Sequence, residues 1–128
     1  MKVLSIKEPY ATLIKDQIKI YETRSWKTNY RGEIYIHASL TKSKSETYET
    51  AIKYLKSEPK PGYILCRCNL VDCIPMTKEF IDYINRETQE ADYGRYSEDR
   101  YAWKLELIEV LKEPIEAKGK LGIWNYER

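Results

Sequence analysis

The sequence is poor in residues that bind metal ions, with three cysteines and one histidine among 128 residues. A structural zinc site takes four Cys or His ligands, usually in paired knuckles, and the C-x-C-x4-C spacing of Cys66, Cys68 and Cys73 differs from that pattern. The odd number of cysteines argues against a disulfide framework and agrees with a reducing compartment. We therefore expect a cytoplasmic protein without a metal ion or another cofactor.

Long apolar runs and phosphate-binding glycine motifs are also missing. No window approaches the roughly 20 apolar residues of a membrane-spanning helix, and Lys7 and Glu8 interrupt the stretch where a signal peptide would be apolar. Neither a P-loop nor a G-x-G-x-x-G fingerprint occurs. Without a G-x-S-x-G elbow, His37 gives little support to a nucleophilic triad. These absences argue against a membrane protein, a nucleoside triphosphatase and a dinucleotide enzyme.

The sequence is rich in tyrosine and divides its charge unevenly. It has 12 Tyr and 3 Trp but a single Phe, and aromatic rings with polar tips suit half-buried sites and stacking surfaces. The net charge of +2 is too small to bind a polyanion by charge alone. Residues 1–60 hold 12 Lys and Arg against 7 Asp and Glu. This half therefore either presents a positive face or carries ordinary solvated lysines.

Apolar periodicity predicts a small α+β fold that forms one domain over residues 1–128. Strands are predicted at 2–6, 18–24, 33–39, 63–74, 101–111 and 118–124, and helices after Pro9, over 43–57 and after Thr77 as N-cap. Residues 86–100 lack an apolar period and indicate a polar loop. Because strands and helices do not alternate as in βαβ units, we expect a small mixed β-barrel of five to six strands with two or three flanking helices.

The segment IKIYETR, residues 18–24, carries charges where a sheet should be apolar. In a regular strand one face holds Ile18, Ile20, Glu22 and Arg24, and the other holds Lys19, Tyr21 and Thr23. An inward-facing ion pair is tolerated only if its members satisfy each other or a ligand. Glu22 and Arg24 are therefore either an ordinary ion-pair network or the wall of a pocket. A pocket that also used Lys19 would need a β-bulge or a strong twist between residues 19 and 22.

Five segments form an ordered pattern over nearly the whole chain: SIKEPYATLI at 5–14, KIYETRSW at 19–26, YRGEIYIHAS at 30–39, YAWKLE at 101–106 and KGKLGIW at 118–124. In this order they resemble the ASCH domain, a branch of the PUA-like superfamily. The arrangement is most similar to compact, stand-alone bacterial and phage members. The resemblance implies a PUA-like β-barrel, a cleft between this barrel and the N-terminal helix lined by the K-x-x-E-x-R segment, and binding of RNA or nucleotides.

The resemblance also implies candidate site residues. One branch of the family hydrolyses the acetyl amide of N4-acetylcytidine with a lysine, a threonine and a downstream glutamate, and another member is similar to a metal-dependent ribonuclease. Lys19 matches the lysine of the first branch and Arg24 its neighbouring arginine, whereas Glu22 stands in place of the threonine. Asp72 matches the downstream glutamate by rough position only. Other positions that match the family pattern are Ser5, Lys7, Tyr10, His37, Ser39, Tyr101 and Trp103.

We therefore predict an RNA- or nucleotide-binding ASCH domain whose cleft holds one extruded or single-stranded base. In this reading Glu22 and Arg24 contact polar base edges, lysines contact phosphate, and aromatic rings stack on the base. The alternatives are a hydrolase on the same cleft, with Lys19 and Glu22 as catalytic residues, and a protein-interaction module using the exposed tyrosines and the loop at 86–100. RNA, a nucleotide or a modified nucleoside is the expected partner, and a membrane is not. The predicted binding residues are Ser5, Lys7, Tyr10, Lys19, Glu22, Arg24, Trp26, Tyr30, Arg31, His37 and Ser39.

Overall fold

The computed structural model describes residues 1–127 and contains a six-stranded mixed sheet with short flanking helices. The strands are β1 (Lys2–Lys7), β2 (Tyr21–Arg24), β3 (Gly32–Ser39), β4 (Tyr63–Pro75), β5 (Tyr101–Glu116) and β6 (Ile123–Asn125). The helices are α1 (Tyr10–Lys15), α2 (Tyr48–Ala51) and α3 (Lys78–Glu87), and 3₁₀ turns cover Ile52–Tyr54 and Glu90–Asp92. The predicted α+β class is confirmed.

The sheet is curved but is not closed into the expected barrel. Its strands lie in the order β2-β5-β4-β3-β1-β6; β1 and β3 run parallel, and the other neighbours run antiparallel. Three register shifts interrupt the long β4–β5 pairing, and such irregularities bend and twist a sheet. The Nη2 of Arg24 in β2 donates to the carbonyl oxygen of Ser5 in β1 at 2.9 Å. A side chain therefore links the edge strand β2 to β1, which lies near the opposite edge.

Three apolar clusters pack against the sheet and orient the two faces of β2. In the largest cluster α1 lies against β1, β3 and the fully buried Trp103 of β5. In the second, Ile84 of α3 packs with Tyr21 and Ala102, and a third surrounds Trp124 of β6. Full burial of such apolar side chains contributes about 1.5–3 kcal/mol each. Tyr21 therefore faces α3, and its strand neighbours at 22 and 24 face the side of Trp103.

One helix prediction is confirmed at its N-cap, and another has the wrong bounds. The Thr77 side chain accepts a hydrogen bond from the backbone N–H of Phe80 at 3.1 Å, which confirms the predicted N-cap of α3. The helix predicted over 43–57 is wrong at both ends, because only residues 48–54 are helical. The serines and lysines of residues 40–46 are mostly exposed and supply no apolar contacts to hold a longer helix. Among residues 1–127 we find no helix with the length and apolarity needed to cross a bilayer.

Candidate functional site

Glu22 and Arg24 form an ion pair on the inner face of the edge strand β2. The Nε of Arg24 lies 2.9 Å from Oε2 of Glu22, and both side chains are largely buried, with 22% and 11% of their surface exposed. Their cross-strand partners in β5 are Tyr101 and Trp103. The prediction that the two charges share one face is therefore confirmed. The pair keeps contact with solvent while it lies against the core.

The Arg24 guanidinium lies over Trp103, which in turn contacts Trp26. Its Cζ lies 5.9 Å from the ring centre of Trp103, a distance that permits a cation–π contact. The Trp26 ring packs edge-to-face on Trp103, with ring centres 4.7 Å apart, and the Trp26 carbonyl accepts a hydrogen bond from the Trp103 indole N–H at 3.2 Å. Trp26 itself is 39% exposed. An accessible aromatic ring therefore lies beside the ion pair.

Lys19 is a buried amine with few partners. Only 2% of the residue is exposed, and its Nζ donates to the carbonyl oxygen of Tyr93 at 3.0 Å. The rings of Tyr10 and Tyr93 lie 5.8 and 5.9 Å from Nζ. Burial lowers the pKa of Lys19, against the opposing effect of the Glu22 and Glu90 carboxylates. No carboxylate among residues 1–127 lies within 4 Å of Nζ. Desolvation is therefore the dominant influence on the pKa of this amine.

Lys19 lies close enough to Glu22 and Arg24 to feel their charges, although β2 has no bulge, which was one of the two predicted ways to bring it there. The β2–β5 pairing runs from Tyr21 to Arg24 without a register shift, and Lys19 lies before the strand, where its backbone N–H donates to Leu13 at 3.0 Å. The alternation that predicted opposite faces applies only inside a regular strand. Ile20 also precedes the regular strand. Its predicted place on the inner face is wrong, since 43% of this residue is exposed.

The 3₁₀ turn Glu90–Asp92 and the residues after it complete the surroundings of Lys19, and the sequence did not reveal this. The buried Glu90 carboxylate accepts hydrogen bonds from the backbone N–H groups of Ile20 at 2.9 Å and Tyr21 at 3.4 Å. Burial raises the pKa of Glu90, and Lys19 opposes that effect. A Cβ at Gly94 would lie 3.3 Å from Lys19 Nζ, so glycine permits close packing there. Glycine in a polar loop was the only available signal, and it was a weak one.

Ser5 and His37 form a buried hydrogen-bonded chain that holds the C-terminal segment. The indole N–H of Trp124 donates to Ser5 Oγ at 3.0 Å, Ser5 Oγ lies 3.0 Å from His37 Nδ1, and His37 Nε2 lies 2.7 Å from the Ala117 carbonyl oxygen. A carbonyl only accepts, so Nε2 carries the proton and, in the neutral ring, Nδ1 accepts from the serine hydroxyl. His37 is 1% exposed and uses both nitrogens, which is an arrangement typical of a structural role.

The other predicted residues divide into those near Lys19 and those bonded elsewhere. Tyr10 faces Lys19 with its ring, and its hydroxyl lies 2.8 Å from Thr47 Oγ1. The Tyr30 hydroxyl donates to the Glu33 carbonyl, and Arg31 contacts Thr28, Tyr30 and Asp72. Lys7 and Ser39 are paired neighbours at the ends of β1 and β3, with Lys7 exposed. The gathered set is Ser5, through its backbone carbonyl, with Tyr10, Lys19, Glu22, Arg24 and Trp26. His37 touches this set only through the Ser5 hydroxyl, and the contacts given above for Tyr30, Arg31, Ser39 and Lys7 lie outside it.

Metal-ligating side chains do not converge in the described part of the chain. Within residues 1–127 no three His, Cys, Asp or Glu side chains are grouped so as to hold a metal ion. Cys66, Cys68 and Cys73 are free, and the first two are buried in the sheet. A hydrogen bond with Cys68, together with burial, raises the pKa of the Cys66 thiol, which disfavours the reactive thiolate.

The fold and these contacts define a small α+β protein that gathers partly buried charges at the edge of a curved mixed sheet. Residues 4–115 match the family model of the ASCH domain, and the chain belongs to this family. The predicted family membership is thereby confirmed. Among known proteins the chain is similar to activating signal cointegrator 1 of Homo sapiens, with 31% identity, and of Mus musculus, with 30% identity. Each match covers 97% of this chain but only 22% of the length of the relative.

Proposed function

We propose that this ASCH domain binds RNA or a nucleotide and holds one unpaired base beside Glu22, Arg24 and Trp26. Unused hydrogen-bonding capacity carries the proposal. Within residues 1–127 Arg24 uses Nε and Nη2 and Glu22 uses Oε2, which leaves Nη1 of the guanidinium and Oε1 of the carboxylate without a protein partner. An ion pair that offers one free donor and one free acceptor can bond to the polar edge of a base.

The aromatic and basic surroundings agree with this ligand. The exposed Trp26 ring offers a face on which a base can stack, a contact worth about 1–3 kcal/mol. The exposed Lys7 lies two residues after Ser5, whose carbonyl oxygen binds Arg24, and can meet a phosphate. Its charge belongs to the N-terminal half, in which cations outnumber carboxylates. Charge, stacking and base-edge groups therefore occur together.

Fluorescence titration tests the proposal, because Trp26 lies next to the ion pair. Wild-type protein is titrated with short single-stranded RNAs and with modified nucleosides at two salt concentrations. We expect saturable quenching that weakens at least about tenfold in Arg24→Ala, since a charge-assisted contact and the orientation of Glu22 are lost together.

Arg67→Ala is the matched control. Like Arg24, Arg67 is an ion-paired arginine; its partners are the carboxylates of Glu33 and Glu109, and neither belongs to the site. This variant should bind as the wild type does at equal ionic strength. Equal and negligible binding by wild type and Arg24→Ala would refute the proposal.

A hydrolase at the same site is the second candidate, and the buried state of Lys19 favours it. A lysine with a lowered pKa can act as a base or nucleophile near neutral pH, and burial lowers the pKa of Lys19. Glu90 approaches the same region, whereas Asp72 is bound to Arg31 at an exposed position. Glu90 therefore replaces Asp72 as the candidate for the downstream carboxylate.

Incubation with N4-acetylcytidine and chromatography of the products tests this activity. Hydrolysis would consume one water and release cytidine and acetate. Turnover by wild type that is lost in Lys19→Met but retained in Lys15→Met would establish the hydrolase, because Lys15 is bonded to Ser57 outside the site. Absence of turnover by wild type would exclude this substrate while leaving the binding proposal intact.

A further inference from the structure

A groove of about 690 Å³ lies between the C-terminal half of α3, the start of β2 and Lys104 of β5. None of the residues predicted to bind ligand lines it. It adjoins the Lys19 region through Glu90 and Tyr93, which contribute to both. Its volume falls within the range of small-molecule sites, about 300–1,000 Å³.

Two exposed side chains with large apolar surfaces line the groove. Ile20 and Tyr83 are each 43% exposed, and both line the groove. Tyr83 belongs to α3, while Ile20 immediately precedes β2, so the two lie on separate elements. Burial of an aromatic ligand against them would remove apolar surface from water on two elements at once.

Of the two cations that line the groove, Lys104 has no carboxylate partner among residues 1–127. Arg86 is paired with Glu87 at 2.9 Å, and the Glu90 carboxylate already accepts two backbone N–H groups of β2 and its preceding residue. By contrast, no carboxylate among residues 1–127 lies within 4 Å of Lys104 Nζ. A ligand that combines an aromatic ring with an anionic group would meet both features.

We propose that this groove is a second nucleotide site, in which a base contacts Tyr83 and Ile20 and a phosphate contacts Lys104. It rests on the proposed function only in taking a nucleotide as ligand, because it shares no binding residue with the Arg24 site. The nucleotide can be free or part of a single RNA strand that also reaches Trp26.

Amide-resolved NMR titration separates the two sites. Cytidine and adenosine 5′-monophosphates serve as free nucleotides, and a single-stranded hexanucleotide serves as RNA. We expect saturable shifts of the Gln89 and Lys104 amides that weaken about tenfold in Tyr83→Ala. Lys104→Gln should reduce the slope of log K against log salt by about 1, the value expected for the loss of one phosphate contact. The matched controls are Tyr48→Ala and Lys78→Gln, which alter an exposed tyrosine and an exposed lysine outside the groove.

The outcomes are distinct for each site. Groove shifts with mononucleotides that persist in Arg24→Ala support the second site whether or not the first site binds. If the hexanucleotide binds more tightly than the mononucleotides and shifts amides at both sites, one RNA strand spans the two sites. Shifts confined to Arg24 and Trp26 overturn the second site and leave the proposed function standing. Equal affinity of wild type, Tyr83→Ala and Lys104→Gln at the groove also overturns it.

Discussion

Lys19 is the residue at which burial and charge conflict most directly. Its ammonium group is removed from water yet has a single backbone carbonyl as hydrogen-bond acceptor. The nearby carboxylates have other partners: Glu22 binds Arg24, and Glu90 binds the backbone of residues 20 and 21. An arrangement that costs folding free energy without repaying it in direct contacts is common at functional sites.

We predict that Lys19→Met raises the free energy of unfolding at pH 7 by about 1 kcal/mol. In the wild type, the pKa of Lys19 in the folded protein lies below its ordinary value of 10.5. The unfolded chain therefore holds this proton over a pH range in which the folded protein has lost it, and stability rises with pH from the lowered pKa toward 10.5.

Urea denaturation at several pH values measures both effects. The rise in stability with pH should be smaller in Lys19→Met than in wild type, whereas Lys15→Met should keep the wild-type slope. A variant that is destabilised at pH 7 with an unchanged slope would show that Lys19 is held by favourable contacts.

His37 illustrates the opposite situation, a predicted binding residue whose contacts are all internal. We predict that His37→Leu lowers the free energy of unfolding by roughly 2–3 kcal/mol, because the Ala117 carbonyl and the Ser5 hydroxyl lose their partners. Urea denaturation measures this change, with Ser39→Ala as a surface control. Loss of nucleotide affinity without loss of stability would instead assign His37 to ligand binding.

At the scale of the element, the outer edge of β2 is protected by side chains. The Tyr21 N–H is bound by Glu90, and the Thr23 carbonyl oxygen accepts from Nη2 of Arg100 at 3.0 Å. Unpaired edge strands invite pairing with other chains, and covering their polar groups prevents this. The segment indicated as a polar loop therefore has a structural role, because it satisfies the strand edge that no neighbouring strand covers.

We predict that Glu90→Ala lowers the free energy of unfolding by about 2 kcal/mol, because two backbone N–H groups lose their acceptor. Hydrogen exchange at the Ile20 and Tyr21 amides should become faster, while exchange in β3 should follow only the change in global stability. Glu90→Gln keeps an acceptor oxygen and should lie between wild type and Glu90→Ala. If the glutamine variant is as unstable as the alanine variant, the negative charge matters more than the hydrogen bonds.

Elements could be predicted where their pattern was strong. The alternation of β3 and the Thr77 cap of α3 are local signals, and both appear as expected. The helix over 43–57 is shorter than predicted, since only residues 48–54 are helical and Leu55, which packs against the core, already has an extended backbone. Lys19 and Ile20 were placed on the wrong sides because the regular strand begins at Tyr21.

At the scale of the whole molecule, the net charge is low and the positive charge is concentrated in the N-terminal half of the sequence. The chain carries +2 overall, because residues 1–60 carry +5 and residues 61–128 carry −3. Such a protein cannot rely on a broad electrostatic surface to hold a polyanion. The proposed binding would therefore depend on a small number of contacts near the Arg24 site.

We predict a shallow salt dependence for single-stranded RNA, with a slope of log K against log salt between about −1 and −2, as expected for a few phosphate contacts. Fluorescence titration between about 50 and 200 mM salt measures it. A duplex of the same sequence should bind more weakly, because its bases cannot reach Trp26. A slope steeper than about −4 would indicate a broad phosphate-binding surface instead.

The sequence by itself determined the α+β class, the ASCH membership and the shared face of Glu22 and Arg24. Each depends on local periodicity or on motif order, which can be read directly along the chain. The tertiary structure alone decided that Lys19 is buried beneath Tyr93, that Glu90 covers the edge of β2 and that a second groove lies beside α3. Lys19 and Tyr93 are 74 positions apart, and periodicity records only the direction in which a side chain leaves its own backbone. Which distant carbonyl or carboxylate a side chain contacts depends on the curvature of the sheet, and this curvature depends on all the strands together.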